Sequence, residues 1–235
     1  MSMAGWTSSL FSKTQTSDDI SQYEAKLQTA KQIAERAEKG DVVGAGSGST
    51  ALLALQELAK RNNEENLNLI FVPTSYEIEW ACYQNNLTTA SVFEQKPEWC
   101  FDGADEVDPD KNLIKGRGGA MYREKLVMTA SETRYILVDE SKFVKKLGEK
   151  FPVPVECDPQ AVNIVEAQLA KVGVTDISIR PAKGKDGPVI TEKGNIILDC
   201  QFSNIDMDTE KTISSIPGVL ESGLFCGFEP EILST

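Results

Sequence analysis

The chain has 235 residues and carries 24 Lys and Arg against 36 Asp and Glu, a formal net charge of −12. That balance excludes a nucleic-acid wrapper and a polybasic membrane anchor, both of which need a basic face. With 40% hydrophobic and 26% charged residues the composition is that of an ordinary globular protein able to bury a sizeable core.

Histidine is absent, which removes Ser-His-Asp and Cys-His mechanisms together with the commonest zinc ligand. Proton transfer therefore falls to carboxylates or lysines. The five cysteines (Cys82, Cys100, Cys157, Cys200, Cys226) are odd in number, scattered and without a C-x-x-C pair, the usage of reduced thiols in a cytoplasmic protein. No apolar run is long enough to span a bilayer. Residues 1–19 lack a signal-peptide core and read as a disordered Ser/Thr-rich leader.

In chain order, Tyr23, Leu27, Ala30, Ala34 and Ala37 recur at helical spacing, with Ser21 or Asp19 as cap and Gly40 as stop. A strand (41–45), a glycine-rich turn, a helix (49–61) and a strand (69–72) follow. Ser75 opens a helix to about Asn85, Trp99-Cys100-Phe101 is a buried strand running into Asp102, and a helix spans about 120–131 before a strand at 135–138. This alternation predicts an α/β fold, a Rossmann-like parallel sheet with function at the carboxyl ends of its strands. After Gly148 the pattern becomes a strand (153–155), a helix (160–172) and a strand (177–179). A hairpin of Val189-Ile190 with Ile196-Ile197-Leu198, a helix (208–215) and a strand (219–225) complete it. That order predicts a smaller ferredoxin-like α+β domain.

Three constellations could carry chemistry. Gly44 to Thr50 lies between strand and helix, where Ser47, Gly48, Ser49 and Thr50 can hold a small phosphate on backbone N–H groups and hydroxyls. The alternative there is a tight turn with a serine cap. Asp102 to Asp110 places five acids and no base in nine residues after a buried strand. Its alternatives are a solvated loop or a cation site, although the spacing fails the calcium-loop pattern. Lys111 to Lys125 then reverses the sign, with five bases around the single acid Glu124, and contains Gly116, Gly118 and Gly119. Acids for proton transfer beside cations for charge suit an enzyme acting on an anionic polyol. The alternative for Arg123, Glu124 and Lys125 is an ordinary exposed helix.

Gly44-Ala45-Gly46-Ser47-Gly48-Ser49-Thr50, Asp102-Gly103-Ala104-Asp105-Glu106, Lys115-Gly116-Arg117-Gly118-Gly119-Ala120 and Arg123-Glu124-Lys125 together resemble ribose-5-phosphate isomerase of the A type. Phe151 to Glu156, Gly194 to Asp199 and Ile216 to Phe225 extend the likeness from about Lys26 to the end. The resemblance implies interconversion of ribose 5-phosphate and ribulose 5-phosphate in the non-oxidative pentose phosphate pathway, with no cofactor and no metal. It implies a homodimer or homotetramer of two-domain subunits: residues 1–149 with 227–235 as the catalytic domain, and 150–226 beside the cleft. Glu231-Ile232-Leu233 would be a last strand returning to the first domain.

Position by position, Glu124 matches the family's general base, and Asp102, Asp105 and Lys115 its polar catalytic cluster. Ser47, Gly48, Ser49 and Thr50, the glycines Gly116, Gly118 and Gly119, and Lys26 and Lys142 fall where substrate is held. Ser47 stands where many members carry Thr, and the leader is longer than in compact members. The competing expectations are a sugar-phosphate sensor on a related fold, which would need the phosphate loop but not Glu124, and an amino-sugar deaminase-like enzyme, which would need a histidine.

Overall fold

The computed structural model describes residues 22–234, so the leader and its candidate caps Asp19 and Ser21 lie outside the described residues. In chain order the elements of the first half are α1 (Tyr23–Ala34), β1 (Val42–Ala45), α2 (Ser49–Glu65), β2 (Ile70–Pro73), α3 (Tyr76–Gln84) and β3 (Thr88–Thr89). β4 (Trp99–Asp102), β5 (Glu106–Val107), β6 (Leu113–Ile114), α4 (Met121–Ala130) and β7 (Thr133–Val138) follow. The second half comprises β8 (Val153–Cys157), α5 (Val162–Leu169), β9 (Val174–Ile179), β10 (Ile196–Phe202), α6 (Thr209–Ser214), β11 (Val219–Ser222), β12 (Leu224–Phe225) and β13 (Glu231–Ser234).

Six strands form one sheet in the order β13-β7-β4-β1-β2-β3, and every pairing in it is parallel. Parallel strands are buried on both faces and so read as unbroken apolar runs. Trp99-Cys100-Phe101 in β4 and Tyr135 to Val138 in β7 do so. On one face, Ile33 of α1, Leu55 and Leu58 of α2 and Ile78 of α3 pack on Phe71 and Phe101. On the other, Met121, Val127 and Met128 of α4 pack with Ile136, Leu113 and Phe225. Each such fully buried side chain contributes roughly 1.5–3 kcal/mol of transfer free energy.

Chain order reverses between β1 and β4: from β1 the sheet grows through β2 to β3 on one side, and through β4 and β7 to β13 on the other. Ligands of open parallel sheets bind at such a switch point, outside the carboxyl ends of the strands. The loops after β1 and β4 meet there.

The second sheet has the order β11-β8-β10-β9 and is antiparallel. Numbered from its own first strand this is 4-1-3-2, the ferredoxin-like arrangement expected from the element order, with α5 and α6 over one face. Val153, Val155, Val165, Leu169, Leu198 and Ile213 fill a core of their own.

Several predicted elements are corrected. α1 stops at Ala34 rather than near Gly40, although Ala37 remains buried, so the apolar spacing runs on into a turn. The helix at 160–172 is a single α segment flanked by 3₁₀ turns. Val189 and Ile190 form no hairpin arm: Val189 N–H donates to the Arg180 carbonyl, and β10 pairs instead with β9 and β8. Pro188 has no N–H to give a ladder, and residues 189–192 are left to reach elsewhere. The strand at 219–225 is broken at Gly223, so that β12 leaves the second sheet and pairs with β6. β5 and β6, unforeseen because each spans two residues, complete that small third sheet. β13 lies beside β7, as expected for a returning last strand.

Candidate active site

β4 ends on Asp102, whose Oδ1 accepts from the backbone N–H groups of Ser47 (3.1 Å) and Gly103 (2.7 Å). Gly46 makes this approach possible, since a Cβ there would fall 2.3 Å from the Asp102 carboxyl carbon. The Asp102 Oδ2 lies 2.9 Å from Lys115 Nζ, and the ammonium also donates to the Gly103 carbonyl at 2.6 Å. Lys115 leaves the end of β6 with its N–H donating to the Gly223 carbonyl, while Gly223 N–H donates to the Pro154 carbonyl. Glycine is required at 223, because a Cβ would stand 2.3 Å from the Lys115 carbonyl oxygen. The break in the 219–225 strand thus fixes the lysine's backbone.

Glu124, one turn into α4, brings its Oε2 to 3.4 Å from Lys115 Nζ. The contact is ionic and lacks hydrogen-bond geometry, so among the described residues Oε2 is a buried acceptor without a hydrogen-bond partner. Glu124 is 5% exposed and Lys115 3%. Burial pushes the Glu124 carboxyl up to about 7, against the pull of Lys115. Asp102 is also raised by burial, with Lys115 and the two backbone donors opposing. For Lys115 burial works against the charge, yet the carboxylates of Asp102 and Glu124 outweigh it and hold the ammonium above the ordinary lysine range.

Lys115 and Glu124 of this buried triad floor a cleft of about 690 Å³. Lys26, Ser47, Gly48, Ser49, Thr50, Asp105, Gly116, Gly118, Gly119 and Lys142 all line it, as do Lys115 and Glu124. Asp102 alone of the expected residues does not reach the cleft surface and stands behind Lys115. At one end Gly48 caps α2 with no side-chain partner, leaving the first-turn N–H groups of Ser49 and Thr50 for an anion. Lys26 Nζ donates to Ser49 Oγ at 3.2 Å, and Lys142 enters from the turn after β7. Burial lowers the Lys26 ammonium below its usual range, opposed by Asp139 and reinforced by Lys142. The Ser47 hydroxyl is turned away, 2.8 Å from both Thr74 Oγ1 and Ser75 Oγ. Ser75 caps α3 through the Ile78 N–H, as the sequence suggested.

The glycine loop between β6 and α4 turns at Gly116 and Gly119, both with positive φ, and the Gly119 N–H closes on the Gly116 carbonyl. Gly118 has open space around it. Arg180 donates to the carbonyls of Gly116 (2.9 Å) and Arg117 (2.7 Å) while its guanidinium pairs with Asp199.

The acidic block is no solvated loop. Glu106 is fully buried and accepts three backbone N–H groups, from Gly148, Lys150 and Phe151. Asp108 closes a turn on Asp110 and Asn112. Its carboxylates point to separate tasks, and no group of three or more Cys, Asp or Glu is placed for a metal among the described residues. Arg123, Glu124 and Lys125 are likewise no exposed helix face, since Glu124 and Lys125 are buried.

Sequence reasoning missed Arg180 and the segment Val189–Glu192, which lines the cleft from the second sheet. The buried Glu156 holds that segment by accepting from Thr191 Oγ1 (2.6 Å) and Asn195 Nδ2 (3.0 Å). These pairs are 35 and 39 residues apart in sequence and no local pattern marks them.

A basic, glycine-lined end for an anion and a buried carboxylate–lysine pair at the centre define an α/β enzyme that transfers protons on a small anionic substrate. The profile of ribose 5-phosphate isomerase A (phosphoriboisomerase A) matches residues 70–234. The chain is 41% identical over 211 residues to the ribose-5-phosphate isomerase A of Methanothermobacter thermautotrophicus, covering 89% of this chain and 92% of that one. The solved ribose 5-phosphate isomerase A of Methanocaldococcus jannaschii superposes with a TM-score of 0.87 at 42% identity, covering 91% of this chain and 95% of the other. A D-ribose-5-phosphate isomerase solved in complex with phospho-erythronic acid gives 0.88 at 36% identity, covering 92% and 95%. The chain belongs to the ribose 5-phosphate isomerase A family.

Proposed function

We propose that the chain interconverts D-ribose 5-phosphate and D-ribulose 5-phosphate through an enediolate, with Glu124 as the single base. The observation that carries this reading is the buried Glu124 oxygen beside Lys115, which has no hydrogen-bond partner among the described residues, on a side chain that lines the cleft. Starting from the open-chain aldose, Glu124 takes the proton from C2 and the electron pair forms the C1–C2 double bond, leaving the negative charge on O1. The hydroxyl proton passes from O2 to O1, the O2 carbonyl forms, and Glu124 returns its proton to C1. One short carboxylate serves two adjacent carbons from one face, and burial gives it the basicity to do so.

Lys115 and the Gly116 and Gly118 amides stabilise the oxyanion; the Gly119 and Arg117 N–H groups are taken up by the Gly116 carbonyl and Asp105. Asp102, bonded behind Lys115, holds the ammonium in place; Asp105, on the cleft wall, binds substrate hydroxyls and assists ring opening. Lys26, Ser49, Thr50 and Lys142 hold the phosphate. Residues 1–149 with 227–235 are assigned to the catalytic domain and 150–226 to a second one, supported by the six-stranded and four-stranded sheets drawing on different stretches of chain. The protein works in the cytoplasm as a homodimer or homotetramer, without nucleic acid or metal. Buried or unpaired cysteines, the net charge of −12 and the family resemblance support these assignments. No helix among the described residues is long and apolar enough to cross a membrane.

A sensor would bind the same phosphate but has no use for a buried ionisable acid with an unbonded oxygen, which is costly to keep. The deciding experiment is a coupled assay of ribulose 5-phosphate formation by wild type and Glu124→Gln, with and without chelator, alongside a ribose 5-phosphate binding titration. Wild-type turnover insensitive to chelator, with Gln binding substrate and losing nearly all turnover, is expected. Near-normal turnover in the variant refutes the base, and activity lost to chelator refutes the metal-free mechanism.

A further inference from the structure

Arg123, Glu124 and Lys125 are consecutive on α4, and successive helical residues project about 100° apart. Arg123 and Lys125 therefore leave the helix on opposite flanks of Glu124, and both flanks are tied down. On one, Arg123 Nη1 donates to Glu192 Oε2 at 2.7 Å and Nη2 to the Pro73 carbonyl at 3.1 Å. The other oxygen of Glu192 accepts the Tyr76 N–H at 2.7 Å. On the other flank, Lys125 Nζ donates to Glu210 Oε1 (2.6 Å), Glu221 Oε1 (2.7 Å) and the Ser222 carbonyl (3.2 Å). Glu210 is itself fixed by the Cys226 N–H.

Apolar burial fixes which face of this helix turns inward: Met121, Val127 and Met128 are buried and Leu126 on the opposite side is 42% exposed. On the same inward face Glu124 is 5% and Lys125 9% exposed, so the fine setting of the helix also depends on how these charged side chains are held. We propose that Arg123 and Lys125 are positioning residues for Glu124, a pair of opposed ionic ties that, on a helix already seated by Met121, Val127 and Met128, trim the rotation of α4 and so aim the carboxylate at the cleft beside Lys115. The proposal rests on Glu124 being the base. At a helix radius of roughly 6 Å a roll of about 10° moves the carboxylate by about 1 Å, a misplacement that costs catalysis about 10²-fold. Because Glu192, Glu210 and Glu221 all belong to the chain of the second sheet, that sheet's seating on α4 determines where the base points.

The test compares Arg123→Met, Arg123→Lys, Lys125→Met and Lys125→Arg with wild type in steady-state kinetics across pH, with thermal melting beside it. Both Met variants are expected to lower kcat about ten- to a hundredfold with KM within about threefold, and to move the acidic limb of kcat upward as Glu124 parts from Lys115. Arginine at 125 restores most of the rate, because it can still reach both carboxylates. Lysine at 123 restores less, having no planar fork to span Glu192 and the Pro73 carbonyl. A lowered melting temperature with kcat and the acidic limb unchanged overturns the proposal while leaving Glu124 as base. Should Lys125→Met fail to fold, with Glu210 and Glu221 left together, the part-exposed Arg123→Met decides alone. Turnover retained by Glu124→Gln overturns the base itself, whatever the flanking variants do.

Discussion

Glu124→Gln should do more than stop turnover, because the carboxyl carries a pH-dependent cost in the folded protein. Burial moves it from an ordinary 4.5 to about 7. Between those values the fold keeps a proton that the unfolded chain has released, so the contribution to stability is whole below 4.5 and is lost as the pH rises through about 7. Ionising the buried group therefore costs about 3 kcal/mol, at about 1.4 kcal/mol per tenfold change in proton affinity. Glutamine resembles the protonated acid in shape and does not titrate. Relative to wild type the variant should be near neutral at about pH 4 and more stable by about 3 kcal/mol at about pH 8.5. Urea midpoints of both proteins at the two pH values read the difference directly, since titrations common to both cancel. A stability gap that is the same at both pH values would refute a raised Glu124, and with it the argument that burial makes this carboxylate a competent base.

Lys115→Met should lower kcat by about 10²–10³-fold by removing an oxyanion donor. It should also destabilise the fold by about 3–5 kcal/mol by leaving Asp102 and Glu124 buried without their cation, which denaturant titration will show. Lys26→Ala and Lys142→Ala should each raise KM about tenfold or more with a smaller change in kcat, and the penalty should shrink as salt is added; salt-independent KM values would place the phosphate elsewhere. Gly223→Ala forces a Cβ against the Lys115 carbonyl and Pro154 and should cost about 1–3 kcal/mol together with part of kcat. An unchanged melting temperature and rate would show that this crossing does not hold the lysine.

The parallel sheet was legible because its strands are buried on both faces. Trp99-Cys100-Phe101 and Tyr135 to Val138 could be little else, and Asp102 had to emerge at a strand end. Absence of histidine left proton transfer to carboxylates or lysines, but it was the family resemblance that marked Glu124 as the base, since the residues alone also allowed an exposed helix. The two-residue strands β5 and β6 were not legible, since two residues carry no alternation and β6 finds a partner in the distant β12. Val189-Ile190 was misread as a hairpin arm because local β-propensity cannot show that the Arg180 carbonyl takes the Val189 N–H and that Glu156, distant in sequence, holds Thr191. Arg180 looks like any surface arginine until its Nη1 is seen on the Gly116 and Arg117 carbonyls with the rest of the guanidinium on Asp199. The missed residues are those held by polar contacts between separate elements, which no local pattern marks.

The pairing of β13 with β7 has a consequence for how the protein is made. In the finished fold the edge of Thr133–Val138 is covered by Glu231–Ser234, yet the whole of the second sheet is synthesised between the two. At roughly 5–20 residues per second the roughly ninety intervening residues take on the order of 5–20 s. For that interval a strand rich in Tyr, Ile, Leu and Val presents an open edge, a template for pairing with another nascent chain. Aggregation during expression should therefore track this strand, and chaperones that shield β edges should matter most after its synthesis and before the last strand emerges.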